Sequence, residues 1–595
     1  MTDHSLLPPV LGVDRSLLGQ RWHQPPVDDR AVAAMARTRS LPEIVARILV
    51  RRGVALEEAD SFLNPSLRAC LPDPSHLKDM DAAVARLVRA VEGNESVAVF
   101  ADYDVDGATS AALLARWFRA VGRPLRIYVP DRLKEGYGPN PRAMETLRTE
   151  GHSLCVTVDC GTTAFEALDA AARVGLDVIV LDHHLAGEGL PPAVAVVNPN
   201  RLDETTPLRQ IAAVTVTFLM LVALNRALRQ KGFFAGRAEP DLLSLLDLVA
   251  IGTVCDVMPL TGLNRALVAQ GLKVLARRGN AGLAALADLG RLDQAPEAWH
   301  AGFVFGPRIN AGGRVGGCDT GARLLATDDP VLAGSLAREL EDSNALRKEI
   351  EHQVYAEALP QAQALVDRGD LHLVVSGQGW HPGVIGIVAG RLKERFRRPA
   401  SVIAVNDQGV GKASARSVRG IDLGAAILTA RRQGLLLAGG GHAMAAGFTV
   451  EADRIGALSA FLSAEIATRS SGVVSAAVAE VDGIVSPAGA NADMVNALAG
   501  LGPFGAGHPE PRLAVPDMRV VRSDMVGAGH VRCMLAGPDG SRLKGIAFRC
   551  ADTPLGEALL NGRGRVMHLL GQLKMDRFRG ADEVQMVVED GAFAA

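Results

Sequence analysis

The strongest constraint on the fold of this chain is the stretch 97–110, VAVFADYDVDGATS, in which an apolar run stops at three carboxylates. The run at its start has the composition of a buried strand. Asp102, Asp104 and Asp106 then occupy alternate positions, so in an extended segment they point into one small volume. Like charges about 4 Å apart repel by roughly 1 kcal/mol even in water. The stretch therefore indicates a cation site at the end of a strand; the alternative is a polar turn in which one Asp caps a helix.

Apolar strands alternate with helical patterns from about residue 82 to residue 256. Strands are predicted at 97–101, 126–129, 154–158, 178–181 and 193–197, and helices at 108–121, 141–151 and 164–174. This order is typical of an α/β fold with a doubly wound parallel sheet. Ligands of such sheets bind beyond the carboxyl ends of the strands. The polar residues at those ends, which we expect to converge with the acidic stretch, are Asp159, Asp182, His183, His184 and, after an apolar helix, Asp256.

The chemistry of these residues favours hard divalent cations. Several carboxylates with one or two imidazoles and no thiolate suit Mn²⁺ or Mg²⁺ better than zinc. The seven cysteines contain no C-x-x-C pair, which fits a reducing compartment. Two cations that share a carboxylate activate water and stabilise the leaving oxygen of a phosphoester. The sequence therefore predicts metal-assisted phosphoester hydrolysis with two divalent cations, Mn²⁺ or Mg²⁺.

The chain divides into five predicted regions. They are an N-terminal extension (1–81), the α/β domain (82–326), a solvated linking helix (327–370), a second domain (371–471) and a C-terminal region (474–595). The last region has short strands at 519–521, 531–535, 543–548, 565–573 and 583–588. Strands at this spacing with Gly-rich turns indicate a small β-barrel.

Two stretches outside the acidic sites could bind phosphate. Arg308, Asn310 and Arg314 lie in a Gly-rich stretch that we interpret as a loop, which either cradles a phosphate or pairs its arginines with acidic neighbours. The net charge of −3 gives no global basic field. The stretch 391–432, however, has ten Lys and Arg against three acidic residues. It is either a track for a phosphate backbone or an ordinary solvated surface.

The apolar runs of the sequence bear on its location. No secretory signal precedes the first domain. The longest apolar run, 211–224, is shorter than the roughly 18 residues that a membrane span needs. We therefore expect a cytoplasmic protein without a membrane association.

Several motifs, in this order, resemble the DHH phosphoesterase superfamily, and more closely its branch of RecJ-type single-strand-specific exonucleases. The motifs are DVD at 104–106, EGYG at 135–138, Asp159, DHH at 182–184, PRINAGGR at 307–314, WHPGVIGIVA at 380–389, GGH at 440–442 and PFGAGHP at 503–509. The resemblance implies a DHH domain, a smaller α/β DHH-associated domain that binds nucleic acid, and a C-terminal OB fold.

The resemblance also implies roles for single residues. Asp104 would bind one cation and Asp106 the other, Asp159 would bridge them, and His183 and Asp256 would complete the ligand set of the second cation. His184 would face the scissile phosphate, and Asp102 would act as a support or a ligand. Residues that would bind the substrate are Tyr137, Arg308, Asn310, Arg314, His381, Ser414, Arg416, Gly440, Gly441 and His442.

Two positions depart from the family pattern. Related phosphoesterases have a His four residues before the first metal-binding Asp, where this chain has Phe100, so that the first cation would take more water or Asp102 as ligands. The family usually has Asn where this chain has His508. The aromatic residues available for base stacking in the C-terminal region are few: Phe504, Phe548 and Phe578.

The implied function is a 5′-to-3′ exonuclease of single-stranded DNA that acts in DNA repair and recombination. We expect a monomer, with a helicase or a single-strand-binding protein as further partners. One alternative is a phosphoesterase of small substrates such as oligoribonucleotides, cyclic dinucleotides or polyphosphate, which the basic stretch and the barrel disfavour. The other is a non-enzymatic scaffold, which the presence of all six predicted centre residues from Asp104 to Asp256 disfavours.

Overall fold

A computed structural model describes residues 7–132, 134–136, 138–469, 478–527, 529–576 and 583–594. The chain forms two compact units. The described residues of the first unit fall within Met1–Leu71, Pro259–Ala269 and Ser475–Ala595, and those of the second within Pro72–Met258 and Gln270–Val474.

The second unit contains the predicted parallel sheet. Its strands lie in the order Leu125–Tyr128, Val97–Ala101, Leu154–Val158, Asp177–Leu181, Ala195–Val197. All four neighbouring pairs are parallel. The strands Val97–Ala101 and Leu154–Val158 are buried throughout, because helices cover both faces of a doubly wound sheet. The predicted α/β class is therefore confirmed, and the carboxyl ends of the strands lie along one edge of the sheet.

Helices of the second unit surround this sheet and continue beyond it. They are Met80–Glu92, Val105–Ala120, Pro141–Thr149, Phe165–Val174, Ala213–Gln230, Leu246–Cys255, Ala281–Leu289, Ala298–His300, Gly306–Val315, Thr320–Ala326 and Pro330–Asp367. A π-helical turn, Ala301–Phe305, precedes Gly306–Val315. The helix Gly262–Leu275 has its first part in the first unit and its last part in the second.

The long helix Pro330–Asp367 occupies the region predicted to link two domains. Asp329 caps it, and a stripe of buried side chains that includes Leu336, Leu340 and Ala358 runs along it. The helix is therefore solvated on one side only, since the stripe packs against its neighbours. Its carboxyl end leads into the second sheet of the unit.

The second sheet has five strands and forms a smaller α/β layer. Its strands lie in the order Ala438–His442, Ala445–Glu451, Val410–Arg416, Ala400–Val405, Leu373–Gln378. The helices that accompany it are Ile385–Phe396, Leu423–Arg432 and Ile455–Arg469. The Gly-rich strand Ala438–His442 is at the edge of this sheet, which leaves one side of its backbone outside the sheet's ladder.

The first unit contains the predicted barrel. Its strands are Leu513–Val526, His530–Ala536, Arg542–Ala547, Val566–Asp576 and Glu583–Phe593. Leu513–Val526 pairs with both His530–Ala536 and Val566–Asp576, which closes the five strands into a barrel. The first strand is longer than predicted. Proline inside a run argues against a strand, so the predicted strand began only after Pro516, whereas in the structure Pro516 lies at a bulge within the strand.

The N-terminal segment of the first unit shares its hydrophobic core with the barrel. Helices Asp29–Arg39 and Glu43–Arg51 contribute Met35 and Ile48 to a cluster that also contains Leu513 and Met586. A short strand, Arg21–His23, pairs in parallel with Val478–Glu480. The other short elements are Ala59–Leu63, Leu67–Cys70, Gly483–Ile484, Ala492–Ala499 and Pro554–Asn561. This sharing was not visible in the sequence, because the two parts lie some four hundred residues apart.

Arg265 fixes the backbone at the centre of the first unit. Its guanidinium is buried and donates hydrogen bonds to the carbonyl oxygens of Leu501 at 2.8 Å and Gly502 at 2.6 Å. It also donates to the Phe62 carbonyl at 3.0 Å and lies 4.1 Å from the centroid of the Phe62 ring. One side chain therefore satisfies buried acceptors from both ends of the sequence.

We expect Arg265→Ala to lower the free energy of unfolding of the first unit by about 3 kcal/mol, because its hydrogen bonds to the carbonyl oxygens of Phe62, Leu501 and Gly502 are lost together. Urea unfolding followed by circular dichroism measures this change. The matched control is Arg532→Ala, which removes an exposed ion pair to Asp524 and should cost under about 1 kcal/mol. Equal losses for the two variants would contradict the structural role of Arg265.

A buried histidine makes the second unit sensitive to acid. His372 is fully buried, with its Nε2 2.9 Å from Ser401 Oγ, and burial lowers its pKa to about 3. The unfolded chain takes up this proton below about pH 6.5, whereas the folded protein does not until about pH 3. Between these values the free energy of unfolding should decrease as the pH is lowered, by up to about 1.4 kcal/mol per pH unit from this group. Urea unfolding from pH 7 to pH 5 should show a shallower dependence for His372→Asn, and an unchanged slope would contradict the assignment.

Candidate active site

The acidic loop, residues 102–106, joins the strand Val97–Ala101 to the helix Val105–Ala120. Asp104 caps this helix, since its Oδ1 accepts hydrogen bonds from the backbone nitrogens of Asp106 at 2.9 Å and Gly107 at 3.1 Å. A Cβ at position 107 would lie 2.3 Å from the carbonyl oxygen of Asp102, so the tight turn requires glycine. The capping role and a cation site are compatible, because a capping carboxylate keeps its second oxygen.

Asp159 approaches the acidic loop from the neighbouring strand. It directly follows Leu154–Val158 and has a φ of 60°, a left-handed conformation that is uncommon outside glycine. Its side chain is almost completely buried. Conformations of this kind concentrate at functional sites, where the surrounding structure holds them. The position of Asp159 is thus fixed by the turn after its strand.

His183 brings three carboxylates together. Its Nε2 lies 3.2 Å from Asp159 Oδ1, 3.5 Å from Asp256 Oδ2 and 3.9 Å from Asp106 Oδ2. The sheet supplies His183 and Asp159, and the carboxyl end of the helix Leu246–Cys255 supplies Asp256. The predicted convergence of these residues therefore occurs.

Among the described residues, three groups have ligand atoms within 4.8 Å of one another and could hold a metal ion. They are Asp159–His183–His184, Asp106–His183–Asp256 and Asp102–Asp104–Asp159. Asp159 and His183 each belong to two groups. Adjacent groups that share residues provide ligand atoms for more than one cation.

The carboxyl groups of this cluster resist ionisation. Burial, and secondly the charge of Asp104, raises the pKa of Asp102 to about 8 and that of Asp106 to about 7. Burial and the neighbouring carboxylates raise the pKa of Asp256 to about 9 and that of Asp159 well above its usual value. A bound cation reverses this balance, because it is the largest local charge.

The donor set fits Mn²⁺ or Mg²⁺. The buried Oδ2 of Asp256 accepts no hydrogen bond from any described residue, so it has the capacity to bind a cation. Burial lowers the pKa of His183 to about 4, which keeps the imidazole neutral as a ligand must be. A hydrogen bond to the Ile211 backbone holds the ring, while Nε2 faces the carboxylates.

The N-terminus of the helix Ala213–Gln230 holds Asp106. The backbone nitrogens of Ala213 and Val214 donate to its Oδ2 at 2.6 Å and its Oδ1 at 2.8 Å. Helix N-termini stabilise negative charge through their unpaired amides and the helix dipole. These two residues were missed in the sequence, because an apolar helix start carries no chemical signature; only the fold brings it to Asp106.

His184 lies at the open side of the cluster. Its side chain is 46% exposed, and its Nδ1 lies 2.8 Å from Asp182 Oδ1. Burial opposes protonation of the ring, but the hydrogen bond and charge of Asp182 outweigh it and raise the pKa of His184. The ring is therefore oriented by Asp182 and accessible to a ligand.

A groove of about 670 Å³ leads away from the acidic loop between the two sheets of this unit. Tyr103, in the acidic loop, is one of its lining residues. Ser414 and Arg416 from the strand Val410–Arg416 line it, as do Gly440 and Gly441 from the edge strand. The groove therefore brings the predicted phosphate-binding residues of the second sheet together with Tyr103 of the acidic loop.

The other basic residues of the stretch 391–432 do not all line the groove. Lys412 lines the groove with Arg416. Arg391 instead pairs with Glu351 at 3.2 Å, and its guanidinium carbon lies 3.8 Å from the centroid of the Tyr355 ring. Beyond this stretch, His442 is exposed at the end of the edge strand.

The stretch around Arg308, Asn310 and Arg314 is a helix, Gly306–Val315, and our prediction of a loop is wrong. Its glycines do not form turns but allow close packing: a Cβ at position 313 would lie 2.6 Å from the carbonyl oxygen of Tyr103. Such contact with the acidic loop needs a helix without a side chain at that point, a condition that the sequence pattern does not reveal.

The three polar residues of this helix have different surroundings. Arg308 pairs with Glu341 at 2.5 Å, as the alternative interpretation of this stretch proposed. Arg314 donates to the carbonyl oxygen of Gly383 at 2.8 Å, and burial lowers its pKa to about 10. Asn310 is partly exposed on the same helix. Arg314 thus connects the catalytic sheet region to the start of the second sheet region.

Three further residues lie outside this helix. His381 and Tyr137 were predicted to bind the substrate, whereas Arg132 was missed. His381 accepts a hydrogen bond at Nδ1 from the backbone nitrogen of Gly383 at 3.0 Å, and burial lowers its pKa. Tyr137 lies outside the described residues. Arg132 lines the groove, with its guanidinium carbon 5.2 Å from the centroid of the Tyr103 ring. Its place three residues beyond the predicted strand 126–129 was the available signal.

The aromatic residues of the C-terminal region differ in accessibility. Phe504 packs against His508 with ring centroids 5.4 Å apart, and His508 is buried beside Arg52. Phe548 is 55% exposed and makes an edge contact with His530 at 5.3 Å. Phe578 lies outside the described residues. Of the other two, Phe548 is the more exposed, since Phe504 is partly buried.

Across the described part of the chain, no helix combines the length and apolar character that a membrane span requires.

Family models match three stretches of the chain. The DHH family N-terminal domain matches residues 96–253, the DHHA1 domain residues 370–468 and the RecJ OB domain residues 481–590. They cover the parallel sheet, the second sheet and the barrel.

Relatives extend this match to most of the chain. The single-stranded-DNA-specific exonuclease RecJ of Dickeya dadantii is 37% identical over 569 residues, which cover 92% of this chain and 96% of that protein. The crystal structure of RecJ from Thermus thermophilus in complex with Mn²⁺ is similar at a TM-score of 0.77 and 30% identity, covering 96% of this chain and 78% of that one. The corresponding complex with Mg²⁺ has a TM-score of 0.71 at 29% identity and covers 95% and 77%. With these extents of identity, the chain belongs to the RecJ family of single-stranded-DNA-specific exonucleases.

Proposed function

We propose that this protein is a metal-dependent exodeoxyribonuclease that degrades single-stranded DNA from the 5′ end. The observation that carries the proposal is the groove that is lined both by Tyr103, within the acidic loop, and by Arg416 of the second sheet. A phosphate backbone lying in this groove passes Tyr103, which lies between Asp102 and Asp104 in the sequence. The 5′-to-3′ direction and the role in DNA repair and recombination are inferred from the family.

The centre residues divide the work as follows. Two divalent cations, Mn²⁺ or Mg²⁺, supply an activated water and stabilise the leaving oxygen when bound. Asp104 and Asp106 hold one cation each, and Asp159 is the shared ligand. His183 and Asp256 complete the set around Asp106, as their mutual distances favour.

Other residues act on the DNA strand. His184 contacts the scissile phosphate, since Asp182 occupies its Nδ1 and its ring is accessible. Asp102 is a support or a further ligand of the cation at Asp104. The strand is bound by Ser414, Arg416, Gly440 and Gly441, which line the groove. The remaining proposed contacts, inferred from the family motifs, are Tyr137, Arg308, Asn310, Arg314, His381 and His442.

The domain boundaries and the cellular setting belong to the same proposal. The boundaries are those at residues 82, 327, 371 and 474, with the segment 1–81 before them. The protein acts as a monomer in the cytoplasm, with a helicase or a single-strand-binding protein as partner. Single-stranded DNA also contacts the barrel, where the exposed Phe548 favours base stacking.

The direct test uses end-labelled single-stranded DNA, duplex DNA and short RNA, each with Mn²⁺, Mg²⁺ or a chelator. We expect only the single-stranded DNA to be degraded, only with a cation, and nucleotides to be released from the 5′ end first. Faster hydrolysis of the short RNA than of single-stranded DNA would favour the small-substrate phosphoesterase instead.

Asp159→Asn should lower turnover by several orders of magnitude, because the amide removes the charge shared by the two cations. Single-turnover degradation of labelled DNA measures the loss. The control is Asp247→Asn, which changes another buried aspartate, on the helix that ends before Asp256. If Asp159→Asn, folded by circular dichroism, kept more than about a tenth of the wild-type rate, the two-metal assignment would fail.

Arg416→Ala should weaken binding of single-stranded DNA and reduce the slope of log affinity against log salt by about 0.7, as expected for one lost phosphate contact. Fluorescence anisotropy at several salt concentrations, in an Asp159→Asn background, measures both. Arg432→Ala is the control, because it removes an exposed charge from the same basic stretch. The same slope for both variants would place the phosphate track elsewhere.

A further inference from the structure

Two asparagines hold the backbone of the paired histidines. Asn198, fully buried after the strand Ala195–Val197, donates through Nδ2 to the carbonyl oxygen of His184 at 2.8 Å. Asn200 donates through Nδ2 to the carbonyl oxygen of His183 at 2.5 Å. The backbone nitrogen of Asn200 in turn donates to Asn198 Oδ1 at 2.7 Å, so the two residues form one unit.

Thr162 connects this unit to Asp182. Asn198 Nδ2 also donates to Thr162 Oγ1 at 2.8 Å. Thr162 is hydrogen-bonded to the Asp182 carboxylate through its hydroxyl, and its backbone nitrogen donates to Asp182 Oδ2 at 3.0 Å. Asp182 Oδ1 lies 2.8 Å from His184 Nδ1 and accepts from the backbone nitrogen of His183 at 2.7 Å. Asn198, Thr162, Asp182 and His184 therefore form a closed hydrogen-bonded ring.

We propose that Asn198, Asn200 and Thr162 are positioning residues that fix His183 toward the cations and His184 toward the phosphate. The inference rests on the proposed metal-dependent function. The ring ties together the loops that follow three neighbouring strands of the parallel sheet. Asn198 holds His184 and Asn200 holds His183, in each case through a hydrogen bond to the carbonyl oxygen of the histidine. Asp182 selects the tautomer of His184 that carries its proton on Nδ1.

The burial of the ring makes each of its hydrogen bonds important for the position of the histidines. Thr162, Asp182 and Asn198 are each at most 1% exposed, so water cannot replace a lost hydrogen bond there without rearrangement. The Nδ2 groups of the two asparagines and the Thr162 hydroxyl are engaged in hydrogen bonds to the histidine carbonyl oxygens or within the ring. Their effect on the cations must therefore pass through the histidines, and outer partners of this kind alter metal affinity or activity by roughly 10–100-fold.

The chain offers matched controls for a loss of packing alone. Asn225 is also a buried asparagine of this unit, but it bonds Trp117 Nε1 at 2.8 Å and the carbonyl oxygen of Pro240 at 3.0 Å, away from the histidines. Thr217 is a buried threonine whose hydroxyl has no hydrogen-bond partner among the described residues. Asn225→Leu and Thr217→Val therefore make the same chemical changes as Asn198→Leu and Thr162→Val outside the ring.

The experiment measures Mn²⁺ binding to the full-length, metal-free protein by isothermal titration calorimetry, together with kcat and KM on single-stranded DNA. We expect Asn198→Leu and Thr162→Val to weaken Mn²⁺ binding and lower kcat by roughly ten-fold or more, with KM changed less than about three-fold. Thr162→Ser keeps the hydroxyl and should retain wild-type affinity within about three-fold. Asn225→Leu and Thr217→Val should bind Mn²⁺ as the wild type does, even where their melting temperatures fall.

Asn200→Ala covers the case in which a buried variant does not fold, because Asn200 is only partly buried and the change removes a single side-chain donor. Folded variants of Asn198, Thr162 and Asn200 with wild-type Mn²⁺ affinity and kcat would overturn the positioning role. Equal losses of affinity in Asn225→Leu would also overturn it, since packing would then explain the effect. A wild-type protein that binds no Mn²⁺ would overturn the proposed function itself, so the two failures are distinguishable.

Discussion

Mutual repulsion among buried carboxylates is the constraint on which the centre of this protein depends. Asp102, Asp106, Asp159 and Asp256 lie close enough together that burial and neighbouring charge raise the pKa of each. The fold offsets part of this cost with backbone amides, as the helix start at Ala213 does for Asp106. Cations offset the rest, which ties metal binding to the stability of the folded site.

The same packing couples the centre to the groove. The helix Gly306–Val315 lies against Tyr103 through Gly313, and its Arg314 bonds the backbone of Gly383 at the start of the second sheet region. A displacement of that helix would move both the acidic loop and one wall of the groove. The groove and the carboxylate cluster are thus positioned by one structural element.

The sequence predicted the residues that carry the chemistry of the site better than the residues that hold them in place. Asp102 to Asp106, Asp159, His183 and Asp256 were identified because several acidic residues and histidines follow predicted strands or a helix and converge at one edge of a parallel sheet, whereas each alone could be an ordinary cap or turn. Ala213, Asn198 and Thr162 gave no such signal, since an apolar helix start and single polar residues near turns are common. The helix at 306–315 was taken for a loop because glycine serves close packing as well as turns.

By itself, the sequence determined the α/β class, the barrel, the metal-binding residue types and the family, because these depend on local periodicity and on motifs of several residues. Only the tertiary structure decided which backbone groups hold Asp106 and the two histidines, and that Arg308 pairs with Glu341 whereas Arg416 lines the groove. It also decided that the helices Asp29–Arg39 and Glu43–Arg51 share a core with the barrel. Such contacts join residues far apart in the chain, so no local pattern encodes them.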